Sequence, residues 1–331
     1  MKSEGPLLLH RSDVEALLSL KACIDAVEEV FRLQGKGKIP ASGILGVKAA
    51  RGGLHVKAGL LPADKSYIVA KLNTNFPDNP AEFGLPTIQG VIVLYDAKNG
   101  APLAVMDSME VTIKRTAAAS AVAARYLARK DAEVATVCGC GRQGRAQLRA
   151  LHEVLPLKRV YVFDLDEQAA KDLAPDLSQE LKIDIKPVRD LRAAIPESDI
   201  CVTCTTSHEF FVHKEDVSSG TFIAAVGADD ENKQEIDPAL MASAKVVTDS
   251  LEQCCAIGDV HHAIAQGLMR KENVYADLSE IVAGRKPGRT SEEEIIIFDS
   301  TGIAIEDAVA AAAVYEKACA ARIGSHFDFA A

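Results

Sequence analysis

The spacing of hydrophobic and polar positions changes along the chain and divides its first hundred residues into two stretches. Residues 11–35 repeat apolar positions such as Ile24, Val27 and Phe31 at helical spacing, so we expect a pair of amphipathic helices there. Residues 41–107 instead carry short apolar runs separated by turns, which is typical of strands in an antiparallel sheet. The expected strands are Gly43–Val47, Leu54–Ala58, Tyr67–Leu72, Gly90–Tyr95 and Leu103–Met106.

Beyond residue 108 the pattern alternates between apolar runs of strand length and longer helical segments. Residues 109–129 predict a closely packed helix because alanine is frequent in them. The later apolar runs predict a parallel sheet with helices on both faces, and Ile303–Ala321 predicts a final long helix. The strands expected in the parallel sheet are Val134–Cys138, Arg159–Asp164, Ile183–Val188, Ile200–Thr205, Thr221–Gly227, Lys245–Asp249 and Glu294–Asp299.

A glycine-rich turn joins the first of these strands to a predicted helix at Gln143–Leu155. Gly139, Gly141 and Gly144 have G-x-G-x-x-G spacing, which permits a tight turn, close approach to a pyrophosphate and close helix packing. The helix amides would then face the phosphates. Asp164 follows Gly144 by 20 residues, where a carboxylate bonds the adenosine ribose. We therefore predict a dinucleotide site; the alternative is a glycine turn of another α/β protein.

The same aspartate bears on the choice of cofactor. A carboxylate at Asp164 accepts hydrogen bonds from the ribose hydroxyls and repels a 2′-phosphate, and no arginine follows it directly. We therefore expect NAD(H) to be preferred, with NADP(H) as the alternative. A solvated aspartate at the end of a strand is the competing interpretation of this residue.

Composition excludes several classes of protein. The chain has 331 residues, of which 48% are hydrophobic and 25% charged, as in soluble globular proteins. A net charge of −10 gives no electrostatic support for nucleic-acid binding. No apolar run is long enough to span a membrane and residues 1–6 are too polar for a secretory signal, so we expect a cytoplasmic protein. The eight cysteines are expected to be reduced thiols, and no metal site is predicted.

Polar side chains follow two further strands, where ligands of open α/β sheets bind. Thr205 lies in a run of hydroxyl-bearing residues after one strand, and Asp229 and Asp230 follow the other. A carboxylate beside a nicotinamide can act as an acid or a base. The pattern alone does not choose between Asp229 and Asp230, and a polar turn is the alternative for Thr205.

Basic residues of the first region are candidates for binding an anion. Arg115 lies among apolar and small residues, so we expect it to be partly buried and paired with an anion. That anion could be Asp107, Glu110 or a substrate carboxylate. Lys71 stands where a strand runs into a polar loop, and Lys57 stands on the preceding strand.

Several segments together resemble the ornithine cyclodeaminase/mu-crystallin family. The similarity runs from about residue 10 to residue 320 and includes the glycine loop. Arg-Thr-Ala-Ala at 115–118 combined with Phe-Asp-Ser-x-Gly at 298–302 is a specific pair. The other matching segments are 69–80, 84–90 and 227–235.

The resemblance implies an α/β architecture in which a Rossmann dinucleotide-binding domain, residues 119–304, is inserted in a smaller α+β domain. The smaller domain, residues 1–118 and 305–331, would contain the antiparallel sheet, bind a small imino or amino acid and form a homodimer. Edge strands of such a sheet need covering, which also favours a dimer.

The resemblance also implies roles for single residues. The implied catalytic positions are Asp229, Lys71 and Arg115. The implied substrate-binding positions are Lys57, Lys71, Arg115, Lys233 and Thr301, with Lys71 and Arg115 holding a carboxylate. The implied cofactor-binding positions are Thr87, Gly139, Gly141, Arg142, Gln143, Gly144, Asp164, Thr205, Val226, Gly227 and Ala228.

The chain departs from the family pattern in two places. The loop from Asp229 to Lys233 keeps the aspartate and the lysine but lacks the usual Pro-Gly between them. Lys57 stands where ornithine cyclodeaminases resemble one another in carrying an acidic residue. A lysine there would repel the distal ammonium of ornithine, so the second departure favours a substrate without a second cation.

The function implied is the NAD(P)H-dependent reduction of a cyclic ketimine carboxylate. The substrate would be Δ1-pyrroline-2-carboxylate or Δ1-piperideine-2-carboxylate, and the product L-proline or L-pipecolate. The alternatives are an ornithine cyclodeaminase, an alanine dehydrogenase and an NAD(P)H-linked binding protein of the mu-crystallin type.

Overall fold

The computed structural model describes residues 5–40, 42–62 and 65–329. The chain divides into two compact units, the first formed by residues 1–115 and 303–331 and the second by residues 116–302. The second unit is therefore inserted in the sequence of the first. Within the described residues, no helix combines the length and the apolar character needed to cross a membrane.

The strands and helices agree with the predicted pattern over most of the chain. The strands are β1 (Leu7–Leu9), β2 (Gly43–Ala49), β3 (Gly52–Leu61), β4 (Tyr67–Asn75), β5 (Ile88–Asp96), β6 (Pro102–Asp107), β7 (Val134–Cys138), β8 (Arg159–Phe163), β9 (Asp184–Pro187), β10 (Ile200–Thr203), β11 (Phe222–Ala225), β12 (Lys245–Thr248), β13 (Ala276–Asp277), β14 (Ile296–Asp299) and β15 (Ser325–His326). The helices are α1 (Arg11–Leu17), α2 (Leu20–Gly35), α3 (Asn79–Phe83), α4 (Ser108–Leu127), α5 (Arg142–His152), α6 (Glu167–Leu181), α7 (Leu191–Ala194), α8 (Pro238–Ser243), α9 (Leu251–Ile257), α10 (Asp259–Ala265), α11 (Leu278–Val282) and α12 (Ala304–Ala321).

The sheet of the first unit has the order β15-β1-β6-β5-β4-β3-β2. Its five long strands are antiparallel neighbours, as predicted. The sheet extends beyond the predicted residues 41–107 at one edge, where β1 runs parallel to β6 and pairs on its other side with β15. Both added strands are two or three residues long, too short to show an alternating pattern.

One face of this sheet is covered by helices and the other carries exposed apolar side chains. Helix α12 packs against β3, β4 and α2. On β4 the residues Tyr67, Val69 and Lys71 are buried, while Ile68 between them is 41% exposed. This alternation places Lys71 on the covered face of the sheet, beneath α12.

The second unit is built on a parallel sheet with the order β13-β12-β14-β11-β10-β7-β8-β9. Every neighbouring pair of its strands is parallel, which confirms the predicted doubly wound α/β fold. The chain runs outward from β7 to β8 and β9 on one side and from β10 to β11 on the other. The direction of winding thus reverses between β7 and β10, and ligands of such sheets bind at that switch point.

Candidate functional site

The glycine-rich turn lies at the switch point, between β7 and α5. Gly139 has φ 102°, a left-handed conformation that favours glycine, and a Cβ there would lie 2.9 Å from the carbonyl oxygen of Cys204. A Cβ on Gly144 would lie 1.8 Å from the Gly139 oxygen, so the helix packs directly on the turn. Among the described residues, apart from its chain neighbours, no atom lies within 4 Å of a Cβ built on Gly141, so the space beside this glycine is open.

Asp164 lies beside this turn because β8 is the neighbour of β7. Its two carboxylate oxygens accept hydrogen bonds from the backbone amides of Cys140, at 2.7 Å, and of Asp166, at 3.0 Å. Each oxygen can accept a further bond, so the carboxylate can still receive the two hydroxyls of a ribose. Asp164 and the three glycines are therefore brought together as the spacing predicts.

The remaining residues predicted to bind the cofactor lie in three places. Arg142 and Gln143 form the first turn of α5, where Arg142 is exposed and Gln143 half-buried. Val226 and Ala228 lie in the segment that follows β11, and Ala228 is buried. Thr87 lies in the first unit, in the segment before β5, where its carbonyl accepts the amide of Phe76.

Thr205 and Gly227 follow the neighbouring strands β10 and β11, and a buried glutamate joins them. Glu235 Oε1 accepts the Thr205 amide at 2.6 Å and its hydroxyl at 2.7 Å, while Oε2 accepts the Gly227 amide at 2.9 Å. Glu235 is not predicted by the sequence pattern, because a glutamate in a polar loop carries no periodic signal. The only signal that points to it is its position two residues after Lys233.

The two adjacent aspartates have different surroundings. The Asp230 carboxylate accepts the amide of Asn232 at 2.8 Å, so it stabilises the local turn. The Asp229 side chain is 51% exposed and lies 2.5 Å from Lys233 Nζ. Burial by itself would lower the pKa of Lys233, but the Asp229 carboxylate raises it above its ordinary value. Of the two residues, Asp229 is the more exposed.

Thr301, predicted to lie near the substrate, follows β14 and is 4% exposed. Its hydroxyl accepts a hydrogen bond from Gln253 Nε2 at 2.8 Å and lies 3.4 Å from Asp249 Oδ1. Asp249 also accepts the Gly302 amide, so it fixes the turn that carries Thr301. These contacts make Thr301 part of a rigid polar turn within the second unit.

The first unit contains a buried cluster of charges under α12. Lys71 Nζ lies 2.7 Å from Asp307, and Arg115 contacts Asp307 through Nε at 3.0 Å and Glu306 through Nη1 at 2.7 Å. All four side chains are at least 94% buried. The predicted burial of Arg115 is thus confirmed. The two carboxylates that pair with it, Glu306 and Asp307, lie on α12, the last helix. Asp107, one candidate for that partner, accepts bonds from Arg11 instead.

Lys57 adds a third cation to this cluster. It stands directly opposite Lys71 in the register of β3 and β4, on the same face of the sheet. Burial, together with the charges of Arg115 and Lys57, lowers the pKa of Lys71 to about 8, against the raising effect of Asp307. Three cations, Lys57, Lys71 and Arg115, are therefore grouped with the carboxylates of Glu306 and Asp307.

The cysteines and metal-binding residue types add no second centre to this site. The eight cysteines carry free thiols. Burial raises the pKa of Cys204, next to the glycine turn, well above its ordinary value, so its thiol is a poor nucleophile. Across residues 5–40, 42–62 and 65–329, no group of three or more His, Cys, Asp or Glu side chains is arranged to hold a metal ion.

Comparison of the chain with known proteins shows the family to which it belongs. The model of the ornithine cyclodeaminase/mu-crystallin family matches residues 4–322. The chain belongs to the ornithine cyclodeaminase/mu-crystallin family. The resemblance carried by the Arg-Thr-Ala-Ala and Phe-Asp-Ser-x-Gly segments is thereby confirmed.

Three solved structures resemble this ornithine cyclodeaminase/mu-crystallin family chain over almost its whole length. An archaeal alanine dehydrogenase dimer with bound NAD is 38% identical, with a TM-score of 0.94 and coverage of 98% of this chain and 99% of that one. The Thermococcus litoralis Δ1-pyrroline-2-carboxylate reductase in complex with NADH and L-proline is 38% identical, with a TM-score of 0.92 and coverage of 97% and 100%. The Paracoccus denitrificans iminosuccinate reductase in complex with NAD⁺ is 31% identical, with a TM-score of 0.90 and coverage of 98% and 99%.

Proposed function

We propose that the chain is an NAD(H)-dependent reductase of cyclic ketimine carboxylates. It would convert Δ1-pyrroline-2-carboxylate or Δ1-piperideine-2-carboxylate to L-proline or L-pipecolate. The observation that carries the proposal is the grouping of three cations, Lys57, Lys71 and Arg115, in one cluster, a suitable place for one carboxylate. The complexes of similar proteins with NAD, NADH and L-proline support the same chemistry.

The residues of the second unit fit a dinucleotide. Gly139, Gly141 and Gly144 would hold the pyrophosphate, since the space above Gly141 is open, and Asp164 would accept the ribose hydroxyls. The bound NADH supplies a hydride to the imine carbon. Because a 2′-phosphate would meet the Asp164 carboxylate, NADPH should be the poorer cofactor.

The chain's own contribution is to orient the imine and to supply a proton. Arg115 and Lys71 would fix the carboxylate and so decide which face of the ring receives hydride. The imine nitrogen carries a proton when its carbon accepts the hydride. Asp229, held by Lys233 at 2.5 Å, would give that proton or orient the water that gives it.

Lys57 argues against ornithine cyclodeamination, the other activity for which the family is named. Its ammonium lies on the same face as Lys71 and opposite it in register. An ornithine whose carboxylate binds Lys71 would bring its own distal ammonium near a second lysine. A ketimine with a single ring nitrogen and one carboxylate avoids that repulsion.

Alanine dehydrogenase is the second candidate, because the archaeal alanine dehydrogenase and the pyrroline-2-carboxylate reductase are equally similar to this chain. Pyruvate and ammonia give an open-chain imine with the same carboxylate, which Lys71 and Arg115 could hold equally well. The two candidates differ in whether the imine is closed into a ring.

A single panel of substrates tests the proposal. NADH oxidation would be followed with the five-membered and six-membered cyclic imines, with pyruvate plus ammonia, and with ornithine plus NAD⁺ for proline formation. We expect the highest kcat/KM with a cyclic imine and with NADH rather than NADPH. Turnover of pyruvate plus ammonia above both cyclic imines would establish the alanine dehydrogenase instead, and proline formation from ornithine the cyclodeaminase.

The lowered pKa of Lys71 predicts a pH dependence of substrate binding. Below about pH 8 Lys71 is charged and attracts the carboxylate; as the pH rises through about 8 the charge is lost and KM for the imine should rise. The control is Lys71→Arg, because a guanidinium stays charged over this range. The imine itself titrates in the same way with the wild type and with Lys71→Arg. Only the difference between their KM profiles therefore reports the loss of charge from Lys71. Parallel KM profiles for the two proteins would contradict the assignment.

We also propose that two copies associate through the open face of the first unit's sheet. Leu45, Val47, Ile68 and Val91 are each at least 41% exposed and point away from the helix-covered face. Exposed apolar side chains clustered on one face mark an interaction surface. Light scattering should therefore report a dimer at micromolar concentration, and Val47→Lys should shift it toward the monomer. A wild-type monomer would contradict the proposal.

A further inference from the structure

Glu235 is a fully buried carboxylate that the proposed chemistry does not use. It lies in the segment before α8, within the second unit, and has no exposed surface. A charge removed from water in this way is costly unless hydrogen-bond donors replace the water. The donors around Glu235 therefore show what the residue holds in place.

Those donors come from two different strand ends. Oε1 accepts both the amide and the hydroxyl of Thr205, at 2.6 and 2.7 Å, just beyond β10. Oε2 accepts the amide of Gly227 at 2.9 Å, just beyond β11. A Cβ on Gly227 would lie 2.4 Å from the carboxylate, so glycine is required for the approach. One side chain thus fixes the separation of two segments expected to contact the cofactor.

The backbone of Glu235 is also held in place by hydrogen bonds. Its own amide and that of Ile236 both donate to Asp259 Oδ1, at 2.8 and 2.9 Å. Its carbonyl accepts the amides of Phe211 and Val212. Burial raises the pKa of Glu235, and the bonds from Thr205 and Gly227 act against that effect by favouring the carboxylate. The backbone and the carboxylate of Glu235 are therefore both held by hydrogen bonds. A change at the carboxylate must then be accommodated by movement of the segments that follow β10 and β11.

We propose that Glu235 is a positioning residue for the cofactor, which sets the spacing of Thr205 and Gly227 so that both segments can meet the bound dinucleotide. The inference rests on the proposed binding of NAD(H) to this unit. It goes beyond that proposal by assigning part of the cofactor affinity to a fully buried side chain that acts through Thr205 and Gly227.

Glu235→Gln tests the idea because it keeps the shape but replaces one acceptor by an amide donor. A glutamine can accept the Thr205 bonds with its oxygen, and its NH₂ group then faces the Gly227 amide, donor against donor. We expect the dissociation constant for NADH, measured by NADH fluorescence at a temperature where the protein is fully folded, to rise about tenfold or more. KM for NADH should rise in parallel, with a smaller change in kcat.

A matched control separates positioning from general stability. Asp277 is another carboxylate whose pKa burial raises, and it also accepts one threonine hydroxyl, from Thr248 at 2.7 Å, and one backbone amide, from Leu251 at 2.8 Å. It is the last residue of β13, at the far edge of the same sheet and away from β10 and β11. Asp277→Asn should lower the melting temperature without changing NADH affinity. Equal loss of NADH affinity in both variants would overturn the proposal.

A second variant keeps the test decisive if Glu235→Gln does not fold. Glu235→Asp preserves the charge but shortens the side chain by one methylene, so it cannot reach both strand ends. We expect the same weakening of NADH binding, and NADH affinity equal to that of the wild type would overturn the proposal. If the wild-type protein itself fails to bind NADH, the proposed function fails; if it binds and the glutamate variants bind equally well, only this inference fails.

Discussion

Replacement of Asp229 by asparagine is expected to lower kcat about 10²- to 10⁴-fold, the usual contribution of a positioned proton donor. Asparagine keeps the size and polarity of the side chain but cannot give up a proton under these conditions. Lys233, which lies 2.5 Å from this carboxylate, would remain in place, so KM for the imine should change little. The measurement is steady-state NADH oxidation with a saturating cyclic imine.

Asp230→Asn is the control for this prediction. Asp230 carries the same charge one residue away, but its carboxylate accepts the amide of Asn232 and so stabilises the turn. An asparagine can still accept that bond, so we expect kcat close to that of the wild type. The opposite result, with turnover lost in Asp230→Asn and kept in Asp229→Asn, would transfer the role to Asp230. If both variants keep turnover, neither carboxylate is the proton donor.

Arg115→Lys is expected to lower kcat/KM for the imine by tenfold to a hundredfold, mainly through KM. The substitution keeps the charge but loses the planar fork that binds a carboxylate through two parallel hydrogen bonds. A hydrogen bond to a charged group is worth about 1.5–3 kcal/mol, which gives this range. The affinity for NADH should change little, because the glycine turn and Asp164 belong to the second unit.

Arg11→Lys is a matched control for that substitution. Arg11 also pairs with an aspartate, Asp107 at 3.1 Å, but its side chain is 46% exposed. Exposed pairs contribute about 0–1 kcal/mol, so neither activity nor stability should change much. If Arg115→Lys lowers the melting temperature and leaves kcat/KM unchanged, the arginine serves only as the partner of Glu306 and Asp307. Its function would then be structural.

The local features of the cofactor site could be predicted from the sequence because each depends on nearby residues. The turn at Gly139, Gly141 and Gly144 and the carboxylate of Asp164 all lie within one β-α-β segment, so spacing alone specifies them. The hairpin between β5 and β6 also depends on nearby residues. Its turn forms through the Asp96 side chain, which accepts the Lys98 amide, and through Gly100 at φ 75°.

Interactions between distant residues were not predictable in the same way. Arg115 was expected to have an anionic partner, but Glu306 and Asp307 lie about 190 residues further along the chain, in an alanine-rich helix. Their burial is visible only when α12 is placed on β3 and β4. Glu235 was missed for the same reason, since its role depends on two strand ends that meet it in space. The edge strands β1 and β15 could not be predicted, because segments of two or three residues are too short to show an alternation of hydrophobic and polar positions.

The position of α12 at the end of the chain has a consequence for biosynthesis. Lys71 and Arg115 leave the ribosome long before the carboxylates that pair with them, because the whole second unit is translated in between. The second unit lies in one continuous stretch and has all its strands once Asp299 has emerged. The first unit has to wait for the last residues of the chain, with its two cations accessible to water in the meantime. A message that ends before the codon for Ala304 would therefore encode the complete parallel sheet but leave Lys71 and Arg115 without Glu306 and Asp307.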